Sequence, residues 1–209
     1  MEIIYKDSEI VVCIKPKGVL STEDLSGKAS MPSILKRELC IDEVFPVHRL
    51  DREVSGLMVF ALTKQAAARL SADVMNSERF LKEYMAVACG IPESNNGILN
   101  DLLFKDSKKN KTYVVDKKRR GVKEARLEYR LVNIIGDKSV VRIRLFTGRT
   151  HQIRVQFASR KMSLLGDRKY GGESSENGIA LYSVRLRFHH PTTNEFLDFE
   201  KIPDILNLI

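Results

Sequence analysis

Nowhere does the 209-residue chain carry an apolar run long enough to cross a bilayer, which takes about 20 residues. The opening stretch, Met1-Glu2-Ile3-Ile4-Tyr5-Lys6-Asp7, also lacks the basic, then apolar, then small-residue order of a secretory signal. Cysteine is scarce. Cys13, Cys40 and Cys89 lie far apart, are odd in number and form no CxxC pair, which excludes a disulfide framework and a zinc site of ordinary spacing. Reduced thiols in a cytoplasmic protein are the expectation. The histidines, His48, His151, His189 and His190, show no metal spacing, so no metal is expected. Phosphate-cradling glycine loops of the P-loop or GxGxxG type are missing, as is a GxSxG nucleophile elbow. No internal repeat, low-complexity tract or linker interrupts the chain, so residues 1–209 are expected to form one domain.

Charge is abundant and unevenly placed. The net charge is +8, yet residues 105–130 and 142–170 are each strongly basic, and the remainder of the chain is net negative. Concentrated positive charge suggests a polyanionic partner, while a solvated basic loop with scattered helix-surface charges accounts for the same counts. No basic amphipathic helix with a strong apolar face accompanies it, which argues against a membrane surface.

The apolar pattern predicts the main elements. Ile10 to Ile14 reads as a buried strand stopped by Lys15-Pro16-Lys17-Gly18. Ser30 to Leu39 and Lys64 to Met75 read as helices, the second with Ala67, Leu70 and Val74 on one side. Leu57 to Leu62 and Tyr84 to Cys89 are short apolar runs of strand length. Ala125 to Ile135 and Ser139 to Phe146 predict a hairpin about Gly136-Asp137. Val184 to Phe188 and Phe196 to Phe199 predict another about Pro191-Thr192-Thr193-Asn194. Thr150 is placed to cap a helix from His151 to about Arg160. Hairpins with few helices point to an α+β fold with a mixed, largely antiparallel central sheet and flanking helices and loops. The regular alternation of a doubly wound fold is absent from the C-terminal half.

Four clusters carry the chemically interesting residues. In His48-Arg49-Leu50-Asp51-Arg52-Glu53, arginines flank Asp51 on both sides. If they lie near it they favour its ionised form, suited to a nucleophile or fixed charge; a structural ion pair holding a turn is the alternative. No second carboxylate pairs with Asp51 as a hydrolytic glycosidase requires. Thr147 to Val155 sets a glycine turn and two arginines at a predicted helix start, a place for an anion or an ordinary capped helix. Lys82-Glu83-Tyr84 enters a strand, where a tyrosine serves the core or the rim as readily as a site. Gly166-Asp167-Arg168-Lys169-Tyr170-Gly171 reads as a tight turn.

Taken in order, these clusters resemble the signatures of the RluA-type pseudouridine synthase family: His-Arg-Leu-Asp-Arg with Ser-Gly-Leu at 48–57, Lys-x-Tyr at 82–84, Gly-Arg-Thr-His-Gln-Ile-Arg-Val at 148–155 and Gly-Asp-x-x-Tyr-Gly at 166–171. The resemblance runs from about Ile3 to Glu200 and includes Lys15 to Gly18 and the stretch from Leu181 to Leu186. Val54 stands where the family usually has threonine, and Gln156 where it usually has histidine; both departures bear on substrate detail. No S4-like RNA-binding domain precedes the motifs, so a catalytic-domain-only member is expected.

The resemblance implies the pseudouridine synthase fold and isomerisation of uridine to pseudouridine in structured ribosomal or transfer RNA, with no cofactor and no metal, by a cytoplasmic monomer. It implies that Asp51 is the essential aspartate, that Arg154 orients it, and that Tyr84 stacks on the target base and assists proton removal. Arg52, Arg49, Arg149, His151 and Gln152 are implied to bind RNA, with Arg52 entering the space the flipped base leaves. Two rivals stay open: an idle RNA-binding module of the same fold, and an RNA glycosidase, which releases free uracil.

Overall fold

Uninterrupted apolar runs and hairpin turns dominate the pattern, and strands dominate the computed structural model, which describes residues 1–24 and 27–204. In chain order the elements begin with β1 (Ile3–Lys6), β2 (Ile10–Lys15), α1 (Met31–Leu39), β3 (Phe45–Pro46), β4 (Ser55–Ala61) and α2 (Lys64–Asp73). Next come β5 (Phe80–Cys89), β6 (Asn96–Asp106), β7 (Lys111–Val115), β8 (Val122–Ile135) and β9 (Lys138–Leu145). α3 (Gln152–Ala158), β10 (Leu181–His189) and β11 (Phe196–Glu200) complete the series. The chain divides into two compact units, one of Met1–Lys82 with Tyr182–Lys201, the other built on Glu83–Leu181.

In the first unit β4 is buried along its whole length, as a seven-residue run without a charged side chain requires. It pairs antiparallel with β2 and with β3, and parallel with β10, while β1 pairs with β2 and β11 with β10 antiparallel. The unit is therefore mixed and mostly antiparallel. Its core gathers Ile10 and Val12 from β2, Leu57, Val59 and Ala61 from β4, Ala66 and Leu70 from α2, and Phe80, Leu186 and Phe188. Phe80 and Phe188 stack with ring centroids 5.2 Å apart. Each such aromatic contributes on the order of 2–3 kcal/mol through burial. Both helices start as expected: Ser30 caps α1 in a reciprocal box with Ser33, and the Thr63 side chain accepts from the Ala66 amide at the head of α2.

One backbone contact in this unit admits only glycine. Gly56, in the Ser-Gly-Leu motif, has φ +118°, and a Cβ there would lie 2.4 Å from the Ser183 carbonyl oxygen. Parallel pairing of β4 with β10 at Tyr182–Ser55 and Ser183–Gly56 depends on that missing side chain.

In the second unit β6, β7, β8 and β9 pair antiparallel in the order β9-β8-β6-β7. The predicted hairpin about Gly136-Asp137 is present, with β8 starting three residues early and bulging between Leu131 and Asn133. Most of the first basic segment is strand, with Lys105, Lys111 and Lys123 on β6, β7 and β8 and Lys108, Lys109, Lys117 and Lys118 in the turns between them. A small core of Leu103, Ala125 and Val155 is covered by Val114 and Tyr170. Gly148 to Arg160 departs from expectation. Thr150 does not cap α3; His151 occupies the N-cap in a left-handed conformation (φ 54°), and its side chain makes no capping bond to the helix. The Gln152 side chain holds this turn instead, its Oε1 accepting from the Arg149 amide at 3.0 Å and from Thr147 Oγ1 at 2.8 Å. At seven residues, α3 is shorter than expected because the chain tightens after Ala158 and enters a left-handed turn at Lys161 (φ 59°). So short a helix gives little dipole to draw an anion.

Candidate active site

In the first unit Asp51 sits half-buried in the turn leading into β4, its carbonyl accepting from the Val54 amide at 3.0 Å. Antiparallel pairing sets Lys15, the end of β2, opposite Gly56 near the start of β4, so the segments leaving both strands run side by side. Arg52, exposed, donates through Nε to the Gly18 carbonyl at 2.9 Å and lies 3.8 Å from Glu53. Arg49 is exposed. Lys15 is fully buried, and its ammonium donates to the carbonyls of Pro16, Val19 and Arg52 at 2.9, 2.8 and 3.1 Å. Burial pushes Lys15 down to about 8, partly offset by the charges of Glu53 and Asp51. The motif thus has a third cation at the Arg52 backbone, Lys15, whose stretch reads in the sequence as a strand stop and as part of the family resemblance.

His48 anchors the same turn. Its Nε2 accepts from the Val59 amide at 3.1 Å, which puts the ring proton on Nδ1. Burial, aided by the Lys82 charge, pushes its pKa down to about 3, so the ring is neutral throughout the physiological range. This histidine is an acceptor pinned against β4 and Phe80, with ring centroids 5.6 Å apart.

In the second unit Arg154 projects from the first turn of α3 and is almost fully buried. Its Nε and Nη2 donate to Asp167 at 2.6 and 2.8 Å, a fork-to-carboxylate pair in which Asp167 has no exposed surface. A guanidinium has five donors, so this pair fixes the group without exhausting it. Tyr170 lies beneath, its ring centroid 5.2 Å from the Arg154 guanidinium and 5.2 Å from the Lys111 ammonium. The Thr112 amide donates to the Tyr170 hydroxyl at 2.8 Å, and that hydroxyl meets His151 Nδ1 at 2.9 Å. Arg149 is half-buried and donates through Nε to the Glu124 carbonyl at 2.9 Å. Gln152 is buried, its amide engaged with Thr147, Arg149 and Arg126. Tyr84 is buried in β5, beside Glu83, which holds Arg142 at 3.0 Å.

A shallow groove of about 540 Å³ adjoins Arg149, lined by Lys118, Arg119, Lys123 and Glu124 with Leu102 and Val122 at its floor. Four cations face one acid there, and that acid is bound to Lys118. Arg119 lies 4.9 Å from the Phe104 ring and Arg126 4.7 Å from that of Phe146, so guanidiniums are spread over aromatic faces.

The structure thus places Asp51, Arg49 and Arg52 on one turn of the first unit, and Arg149, His151, Gln152 and Arg154 on one turn of the second, with Tyr84 in a strand of the second. Sequence reasoning missed Asp167 as the partner of Arg154. A signal for it existed: Asp167 is the lone acid among residues 142–170 and stands inside an ordered motif. No helix among the described residues is long and apolar enough to cross a membrane.

The family model described as RNA pseudouridylate synthase matches residues 9–159. The chain is 33% identical over 220 residues to "Ribosomal large subunit pseudouridine synthase D" of Pasteurella multocida, covering 95% of this chain and 66% of that protein. It is 32% identical over 225 residues to the protein of the same name from Haemophilus influenzae, covering 98% and 68%. The chain thus spans about two thirds of the length of these relatives. Among solved structures it superposes on "Human RNA Pseudouridylate Synthase Domain Containing 4" with a TM-score of 0.79 at 21% identity, covering 99% of this chain and 91% of that one, a likeness of fold.

Proposed function

The chain belongs to the RNA pseudouridylate synthase family, and from that premise we propose that it converts uridine to pseudouridine in a structured RNA, with residues 1–209 acting as one catalytic domain. The observation that carries this reading is the family match over 9–159, which takes in both the turn of Asp51 and the turn of Arg154. The relatives' name favours ribosomal over transfer RNA as the substrate. A cytoplasmic monomer without metal or cofactor fits this chemistry, which needs no redox step and no added reactant.

The reaction breaks the bond from ribose C1′ to uracil N1 and forms one from C1′ to C5. The proton on C5 leaves and N1 gains one, so atoms balance without water. One ionised carboxylate starts it, and Asp51 is assigned that part. Arg154 supplies the fixed positive charge that orients the carboxylate, and its own fork is kept in place by Asp167. Tyr84 stacks on the base and assists removal of the C5 proton. A stacked uridine is out of reach, so the base must leave the helix at a cost of a few kcal/mol. Arg49, Arg52, Arg149 and His151 contact the RNA, Gln152 shapes the turn that presents the last two, and the groove of Lys118, Arg119 and Lys123 takes backbone phosphates.

Mapping pseudouridine across total RNA with and without the chain tests this reading. The expected result is one or a few uridines that are modified only in its presence. An unchanged map would favour the idle RNA-binding module, and release of free uracil would favour the glycosidase.

A further inference from the structure

Asp51 lies between two residues whose backbones are both tied to the segment that follows β2. On one side Leu50 donates its amide to Ser21 Oγ at 3.0 Å, and the same hydroxyl donates back to the Leu50 carbonyl at 2.8 Å. Ser21 and Leu50 are both buried, at 5% and 4% exposure, so water does not compete for this pair of bonds. On the other side the Arg52 carbonyl accepts from the Gly18 amide at 2.9 Å and from the Lys15 ammonium at 3.1 Å, while Arg52 Nε returns a bond to the Gly18 carbonyl at 2.9 Å. Gly18 makes this possible with φ +80°, a conformation that residues with a Cβ rarely adopt. Five hydrogen bonds thus hold the residues before and after Asp51 and leave its carboxylate little backbone freedom.

We propose that Ser21 is a positioning residue: its hydroxyl clips Leu50, and together with the Gly18–Arg52 pair it fixes the direction from which the Asp51 carboxylate meets its substrate. The proposal rests on the reading of Asp51 as the reacting carboxylate. Reaction rates fall steeply with small displacements of a reacting group, about 100-fold for a shift on the order of 1 Å. A buried hydroxyl that satisfies the amide and the carbonyl of one residue suits such a role, because its loss frees both groups to seek other partners. Ser21 bonds Leu50, a buried apolar residue, so its effect is expected on the chemical step and not on RNA capture, whereas Gly18 also holds the Arg52 side chain and a change there is expected to reach both.

The test compares wild type, Ser21→Ala, Ser21→Thr and Gly18→Ala in single-turnover pseudouridine formation at saturating enzyme, with RNA affinity measured in parallel. The space around Gly18 is open, with nothing within 4 Å of an added Cβ, so Gly18→Ala perturbs the backbone alone. Ser21→Ala is expected to slow the chemical step about 10- to 100-fold with RNA affinity within about twofold of wild type. Ser21→Thr, which keeps the hydroxyl, is expected to recover most of the rate, and Gly18→Ala, which loosens Arg52 as well, to lower both rate and affinity. If Ser21→Ala fails to fold, Ser21→Cys, whose thiol is of similar shape but only a weak donor and acceptor, decides by the same two measures. A folded Ser21→Ala or Ser21→Cys with an undiminished chemical step, or one in which rate and affinity fall together, overturns the proposal. Wild-type protein that makes no pseudouridine removes the reading of Asp51, and the proposal with it; an active wild type beside an unimpaired Ser21→Ala overturns the positioning role alone.

Discussion

Asp167→Asn removes one negative charge from the most enclosed ion pair in the second unit while leaving its shape nearly unchanged. Arg154 and Asp167 meet through two bonds at 2.6 and 2.8 Å, with the carboxylate wholly buried and the guanidinium side chain 7% exposed. A buried pair broken from one side leaves an uncompensated charge, and the cost is about 3–5 kcal/mol. At about 1.4 kcal/mol per factor of ten, this lowers the folded-to-unfolded ratio of the second unit by about two to nearly four orders of magnitude. Urea unfolding followed by a probe within that unit reads the effect as a lower midpoint with unchanged slope. The double variant Asp167→Asn with Arg154→Met is expected to recover part of the loss, because no charge is then left buried. RNA isomerisation by Asp167→Asn, measured where the protein is still folded, is expected to fall by orders of magnitude as the Arg154 fork loses its seat. A variant with wild-type stability, or one that is destabilised but fully active, would refute the view that Asp167 holds a functional arginine.

Other outcomes follow from the same geometry. His48 is protonated far more readily in the unfolded chain than in the folded one, where its pKa lies near 3, so stability is lost as pH falls below about 6.5 toward 3. Wild type is expected to lose about 1.4 kcal/mol per pH unit more than His48→Gln across that window in acid-unfolding titrations, and parallel curves would contradict this. RNA affinity is expected to fall steeply with salt, and Lys118→Ala with Lys123→Ala to flatten the log–log slope by up to about 2; an unchanged slope would show that the groove does not meet phosphate. Arg52→Ala is expected to weaken productive RNA binding and to be partly rescued by an RNA whose target uridine is already unpaired, as compared by single-turnover rates, whereas no rescue would remove its role in base flipping.

Sequence pattern revealed those elements whose signal is local. β2 and β4 are apolar runs bounded by breakers, α1 and α2 carry their own caps, and the β8–β9 and β10–β11 hairpins carry their own turns. β1, β3, β6 and β7 were not legible. β3 is two residues long, and β6 mixes Asn96, Gly97, Asn100 and Asp101 with apolar positions, so only pairing with β7 and β8 makes it a strand. The cap of α3 was misread because Thr150 has the right chemistry at the right place, yet the Gln152 side chain reaches back to Arg149 and leaves His151 in the left-handed position. The turns bearing Asp51 and Arg154 stood out as motifs, and Lys15 and Asp167 stood in motifs of their own without showing what they hold, while Ser21 stood in none. Their partners lie 13 to 37 positions away in the chain, beyond any local pattern.

The central claim is that Asp51 is the reacting carboxylate, and one substitution tests it most directly. Asp51→Asn is nearly isosteric, so fold and RNA affinity are expected to remain close to wild type, while the amide cannot act as the nucleophile. Incubation of saturating Asp51→Asn with substrate RNA, followed by quantification of pseudouridine after a single turnover, is predicted to yield none above background where wild type converts the target uridine. A normal yield of pseudouridine from Asp51→Asn would contradict the account.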